Sequence, residues 1–506
     1  TISNQADLET QRCIAYALCN LAADPRRRSD IVREGGLPSL ISMACSEDLN
    51  DELAAISTLR GICAQPENRR QVYQANVIEA LSIGTKANNL EIRCETAAMM
   101  CALSINDDNK LEMAMCDTLL LNLIDLLKTN DDPRCLRQSM GCLANLTERH
   151  ECHPFVRRHN IHNVVLEHFQ NPDNGLCREA ARFLTNIAAV HENHPPVVSG
   201  GGIQAFLVGC AKDDTMTSRF STLGLLNLTT LAENHHELFN SDLCKSLIEL
   251  AAGSMRTWNA LDSLGELVEE EEPSSPRSKH DSAFLKEHGY DKETRRYAAL
   301  ALGNLAISTF THEKLMNTEC ITALNSCLDS LDDETRFNAA FTLNKLVSEH
   351  KNIVFIGESG SIPRLVDVLS TGSAEAKAQA VAVLRHLANH TENRFTMLQA
   401  NVLEPLAEIA ATAEDKEVLR ELTALTCLMS LSDGIRLPMA SSNLLLPLMK
   451  LCQHTDVELA RHGCGTIANL AEAKRTHKIL ASTANTIHIM IFLMNSKHLS
   501  VHREAA

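Results

Sequence analysis

The sequence predicts an all-α protein, a solenoid superhelix of about twelve stacked three-helix repeats. Three observations carry this expectation. A phrase ending in Asn and an apolar residue returns about every 41 residues, each copy has apolar residues at helical spacing, and aromatics make up only 4% of the 506 residues. So few aromatics is thin for a β-rich fold, where they pack the pleated faces.

The phrase reads ALCNLA at 17–22, CLANLT at 142–147, FLTNIA at 183–188, LLNLTT at 225–230, ALGNLA at 301–306 and TIANLA at 466–471. The apolar residue after the Asn position falls at Leu21, Ile62, Leu103, Leu146, Ile187, Leu228, Leu267, Leu305, Leu346, Leu387, Leu431 and Leu470. Successive differences are 41, 41, 43, 41, 41, 39, 38, 41, 41, 44 and 39. In the first copy Ile14, Ala17, Leu18 and Leu21 form the i, i+3, i+4, i+7 stripe of an amphipathic helix. A basic residue sits near the start of most copies, as at Arg12, Arg137, Arg178 and Arg420, where pairing with a neighbouring carboxylate is the simplest use. Between the marks lie a short helix, a Gly or Asn turn and a second apolar helix, as in IVREGGLPSLISMA at 31–44. Glycine supplies the positive φ of the turn, and Pro is tolerated in the first turn of the next helix. One such unit cannot bury its own apolar faces, so neighbours must stack.

On these features the sequence resembles the armadillo repeat family: the three-helix unit, the period, the Gly-(Ile/Leu)-Pro phrase and the Ala-Leu-x-Asn-Leu third helix. The resemblance implies a right-handed superhelix whose third helices line a concave groove. It also implies that the recurrent Asn pairs with the backbone of an extended peptide. The matching residues are Asn20, Asn145, Asn186, Asn227, Asn304 and Asn469, while Gly61, Ala102, Glu266, Lys345, His386 and Ser430 depart. The same Asn could instead bond neighbouring third helices and set the stacking. Nuclear-import members carry a Trp four residues earlier. Here those positions hold Tyr16, Gly141, Arg182, Leu223, Leu300 and Gly465, so an import adaptor is not expected. Catenin-like members present a basic groove, of which Arg182, Arg385 with His386, and Arg461 with His462 offer fragments.

The balance of 47 Lys+Arg against 64 Asp+Glu gives a net charge of −17, which argues against nucleic acid as partner. No apolar run is long enough to span a membrane, so direct membrane insertion is not expected. Eighteen cysteines are scattered through apolar helices with no Cys-x-x-Cys pair, which favours a reducing compartment. His150, Cys152, His153, His159 and His162 match no zinc spacing, and HENH at 191–194 and NHH at 234–236 lack the zinc-hydrolase arrangement. No phosphate loop or nucleophile elbow appears. Neither cofactor, metal nor small-molecule substrate is therefore expected, and no catalytic residue is assigned.

Repeats are expected over 1–268 and 291–506 as one continuous solenoid, interrupted at 269–290 by a degenerate acidic, Pro- and Ser-rich segment (EEEE, then PSSPRSKHD). Within it Ser275, followed by Pro276, is a candidate regulatory phosphosite. Neither end reads as a capping repeat, so the chain is expected to be a piece of a longer array. The function expected is a non-catalytic scaffold that binds partner segments in its groove. Two alternatives stay open: a structural part of a cytoskeletal or axonemal assembly that uses its outer faces, and the substrate-binding array of a larger enzyme such as a ubiquitin ligase. The resemblance extends to scaffolding members of vacuoles, cilia and flagella, which implies a cytoplasmic place with cytoskeletal or ciliary association.

Overall fold

A computed structural model describes residues 8–130, 132–253, 291–483 and 486–494. Among the described residues the backbone is made of helices and turns, with no strand. The fold is an all-α solenoid of stacked repeats. Two compact units are present, Thr1–Ser241 and Asp242–Ala506. The expected segment at 269–290, with Ser275, lies outside the described residues, as does Glu266.

In the first unit the third helices are Leu8–Ala22, Leu49–Cys63, Leu90–Ser104, Pro133–Leu146, Asn174–Ala188 and Thr215–Thr229. From Leu49–Cys63 onward each packs along the next. In the second unit they are Lys292–Leu305, Asp333–Val347, Ala374–Leu387, Lys416–Ser430 and Val457–Ala471, again packed in sequence. A short first helix and a second helix connect them, as with Ile353–Glu358 and Ser361–Thr371. The turn between first and second helices is left-handed at Gly35, Asn76, Asn160, Gly201, Gly360 and Asn401. Glycine and asparagine adopt that conformation at least cost, so the Gly or Asn turn expected from sequence is present.

The apolar stripe faces inward. Leu143 and Leu146, Leu184 and Ile187, Leu302 and Leu305, and Leu343 and Leu346 are all buried. Burying each such side chain contributes about 1.5–3 kcal/mol, which offsets the ordering of the helix that carries it. One register differs from expectation. In Lys416–Ser430 the residue equivalent to the apolar mark is Met429, fully buried, whereas Leu431 is 49% exposed. The Asn position there is therefore Leu428 and not Ser430. The run LMSL offers two apolar phases, and only the helix start separates them.

Helix starts keep a stricter period than the apolar marks. Asp48, Asn89, Asp132, Asp173, Asp214, Asp291, Asp332, Ser373, Asp415 and Asp456 each accept a backbone N–H of the first turn of a third helix. Such side-chain caps satisfy donors that the helix leaves orphaned. Several caps also bind a cation from the preceding third helix: Arg12 to Asp48 at 2.8 Å, Arg178 to Asp214 at 2.5 Å and Arg420 to Asp456 at 2.6 Å. The Arg178 guanidinium, helped by the Thr217 hydroxyl and N–H, holds the Asp214 carboxyl at about 2. A depressed carboxyl contributes stability that is complete above pH ~4 and is lost as pH falls toward 2. Replacing Asp214 with Asn keeps a capping side chain but loses the ion pair. Arg178 is 42% exposed, so solvent screening holds the expected cost to about 1 kcal/mol, read by urea denaturation at pH 7.

A second ladder runs along the starts of the first helices. His153, His194, His235 and His312 each bond through Nε2 to the carbonyl six residues earlier, at 2.8–2.9 Å. Arg28, Arg69, Arg394 and Arg436 make the same contact through Nε. In three places Asn from the next repeat donates to the other ring nitrogen: Asn193 to His153, Asn234 to His194 and Asn352 to His312. The histidines of the 150–162 segment and of HENH and NHH thus include helix-end caps, and no group of three potential metal ligands occurs among the described residues.

Candidate binding face of the third helices

The Asn positions fall near the C-terminal end of each third helix, directly before the last buried residue of the apolar stripe. Asn145, on Pro133–Leu146, donates through Nδ2 to the Cys101 carbonyl at 3.4 Å and to Ser104 Oγ at 3.0 Å. Asn186, on Asn174–Ala188, repeats this toward the Ala144 carbonyl at 3.1 Å and Thr147 Oγ1 at 3.4 Å. Asn227, on Thr215–Thr229, donates to the Thr185 carbonyl at 3.4 Å. Asn469 donates to Ser430 Oγ at 2.9 Å. Each amide is therefore fixed against the preceding third helix, and the N–H₂ end is used in stacking. Asn304 occupies the same place on Lys292–Leu305, half-buried, and Asn20 is exposed on Leu8–Ala22.

The carbonyl ends differ. Asn145 Oδ1 accepts from Arg182 Nη2 at 2.8 Å, and Asn145 is buried. Arg182 also meets Glu179 at 2.6 Å and Glu148 at 2.7 Å, and Glu148 in turn meets Lys110 at 2.6 Å. Gly141 lies beneath this network, where a Cβ would stand 3.3 Å from Cys101 Sγ and 3.7 Å from Glu179. Asn186 and Asn227 are half-buried, and no described side chain or backbone group donates to their Oδ1 atoms. Two oriented acceptors thus remain on adjacent helices.

In the second unit Arg385 pairs with Glu421 and donates to His386 Nε2 at 2.8 Å. Arg461 pairs with Glu458 at 2.7 Å and donates to His462 Nε2 at 2.6 Å. Burial, then the neighbouring guanidinium, brings His386 down to about 4, and His462 is lowered for the same two reasons. Both rings are thus neutral acceptors at neutral pH, and the nearby arginines already hold carboxylates. Lys345 stands over the Phe341 ring at 5.0 Å, in line with Phe337 one turn earlier.

Cysteine chemistry is subdued. Cys142 and Cys320 are fully buried, and burial pushes both thiols well above their ordinary value. Such thiols are inert packing groups. No helix among the described residues is long and apolar enough to cross a membrane.

Repeat geometry and family comparison agree on armadillo-type repeats, one unit of which carries the family's sequence signature. The Armadillo/beta-catenin-like repeat model matches residues 349–389, one full unit ending in Ala374–Leu387. The chain is 27% identical to Vacuolar protein 8 of Schizosaccharomyces pombe over 154 residues, 30% of this chain and 28% of that protein. It is 22% identical to Phospholipase A I of Arabidopsis thaliana over 168 residues, 33% of this chain and 13% of that protein. The matches therefore span well under a third of either relative's own length. Among solved structures, an engineered protein superposes with a TM-score of 0.66 at 19% identity, over 86% of this chain and 98% of its own. A chain from work on a phosphorylation switch controlling the interaction between cadherin and beta-catenin gives 0.65 at 15% identity, over 96% and 98%. At these identities the likeness is one of fold. It is a fold typical of interaction scaffolds and one that typically carries no catalysis.

Proposed function

We propose that the chain is a non-catalytic scaffold that holds an extended protein segment across the third helices Asn174–Ala188 and Thr215–Thr229. The observation that supports this reading is the fixed orientation of Asn186 and Asn227, whose Nδ2 groups bind the preceding helix while each Oδ1 stays available. An acceptor aimed off a helix face takes a backbone N–H whatever side chain the segment carries. Asn304 and Asn469 extend the same series in the second unit, and Asn20 begins it in the first. Arg182, one turn before Asn186, forms the polar rim of this face, where charged pairs select against unsuitable segments, and Arg385 with His386 serves the third-helix face of the second unit. In this reading Asn145 is a support whose two ends are both engaged.

Twelve-residue peptides selected on the full chain by phage display supply the probe. Asn186→Ala with Asn227→Ala should weaken the selected peptides roughly tenfold, the worth of two modest hydrogen bonds. Methylating alternate peptide nitrogens should do the same to the unaltered protein. Affinity indifferent to both changes would direct attention to the outer faces. A second reading, an array serving a larger enzyme, draws on the partial match to Phospholipase A I. Lipase assay of the full-length gene product separates the two.

A further inference from the structure

The ion-pair staple between successive third helices is missing where the cap is Asn89 or Ser373, is replaced from within the helix at Asp132, and is missing again at the acidic cap Asp415. Arg137 meets Asp173 at 3.3 Å, Lys292 meets Asp332 at 2.8 Å, and Asp132 is met by Arg134 of its own helix at 3.3 Å, in addition to the three pairs given above. Among the described residues the Asp415 side chain accepts only the Glu417 N–H, at 2.9 Å, and no described cation lies within ion-pair distance of it. The reason lies in the sequence. Five residues after a cap, where Arg12-type residues such as Arg137, Arg178 and Arg420 stand, the helix preceding Asp415 has Ala378. One repeat earlier the same position holds Phe337, opposite the uncharged cap Ser373.

Where these two gaps adjoin, a cavity of about 590 Å³ opens. Phe337, Ala378 and Ile409 form apolar walls, and Glu375, Glu408 and Glu414 surround it with Asp415. Lys377 lines it as well, leaving four carboxylates against one ammonium.

We propose that this cavity docks an arginine side chain from an exposed segment of a partner protein, which supplies in trans the guanidinium that Ala378 omits in cis. Neighbouring repeats show the geometry: Arg178 reaches Asp214 through Nε at 3.1 Å and Nη2 at 2.5 Å, and Arg420 reaches Asp456 through Nε at 3.4 Å and Nη2 at 2.6 Å. A two-pronged contact of this kind favours arginine over lysine. The arginine stem packs on Ala378 and Ile409, with the Phe337 ring in the same wall. The surplus of carboxylates repels phosphate, so neither nucleic acid nor an anionic membrane suits the site. This surface is separate from the Asn186–Asn227 face.

The test uses the full chain on arrays of nine-residue peptides with mixed flanks and a central Arg, citrulline, Lys or Glu. Citrulline keeps the shape of arginine and removes its charge. Arg-centred peptides should bind, and citrulline should reduce binding roughly tenfold, the scale of a charge-assisted pair. Ala378→Arg, which fills the cavity from within, and Asp415→Asn, which keeps a good helix cap, should each cause a similar loss. The Asn186→Ala, Asn227→Ala double variant should leave Arg-centred binding unchanged. Absence of an Arg-dependent signal overturns the proposal. So does binding that survives both Ala378→Arg and Asp415→Asn, or that disappears only when the asparagines are replaced.

Discussion

Phe206→Ala is expected to destabilise the first unit by about 3–5 kcal/mol, the usual cost of deleting a fully buried ring. Phe206 sits on the second helix Gly202–Cys210 with no exposed surface, and it meets Phe169 edge-on at 6.3 Å between centroids. The tip of its ring lies against Gly224 of Thr215–Thr229, where an added Cβ would stand 2.2 Å from Cζ. Gly224→Ala therefore has two opposed effects. Alanine raises helix propensity by about 1 kcal/mol, while the clash forces the ring to move and costs about 1–3 kcal/mol or more. The clash should win, so the single variant destabilises. Combined with Phe206→Ala the clash is gone and only the propensity gain remains, so the two changes are expected to be strongly non-additive. Repeat arrays do not unfold as one two-state body. Native-state hydrogen exchange of amides in 202–229 is therefore the measurement to use. Simple additivity would mean that the backbone, not the ring, relieves the contact.

The architecture was legible because a stacked repeat writes its period into the sequence many times, and an apolar stripe is recognisable even when individual positions drift. The Asn series was legible for the same reason. What each Asn does was not, because its partner is a carbonyl on the preceding repeat, as with Asn186 and Ala144. That contact depends on how far one helix slides along another, which no periodicity states. Arg182 shows the same limit. It read as part of a basic groove, yet Glu148 and Glu179 converge on it from two helices. Other signals were present and overlooked. A cap residue thirteen positions before the Asn recurs at Asp132, Asp173 and Asp214, and it would have placed Leu428 correctly. His153, His194 and His235 recur at 41 residues, the interval of the repeat itself, which marks them as parts of the repeat and not as a cluster. Departures from these series, Leu53, Cys94, Phe337 and Ala378 among them, become visible only once the series is known.

His194→Ala is expected to cost about 3 kcal/mol, combining a lost ring with a carbonyl left without its donor. The ring is fully buried, and its bonding fixes its protonation. Asn234 Nδ2 donates to the Leu228 carbonyl at 2.9 Å as well as to His194 Nδ1 at 2.8 Å, so the amide orientation is set and Nδ1 must accept. The proton is then on Nε2, which donates to the Ala188 carbonyl at 2.9 Å. Protonating Nδ1 would set donor against donor in a buried site. Burial accordingly lowers the titration of His194, and of His153, which is bonded in the same way. In the unfolded chain both titrate near pH 6.5. The unfolded state thus binds protons first, so stability is complete above pH ~6.5 and falls as pH drops below it, by up to about 1.4 kcal/mol per pH unit for each histidine. Sibling repeats provide the control, since Arg28, Arg69, Arg394 and Arg436 make the same carbonyl contact with a guanidinium in place of the imidazole. His194→Arg should retain more stability than His194→Ala and should reduce the slope between pH 7.5 and 5.5. It will not match the native residue, because Asn234 then loses an acceptor. Hydrogen exchange across Thr215–Thr229 at the two pH values reads both effects. An unchanged slope in both variants would show that the acid sensitivity of the first unit resides outside this ladder.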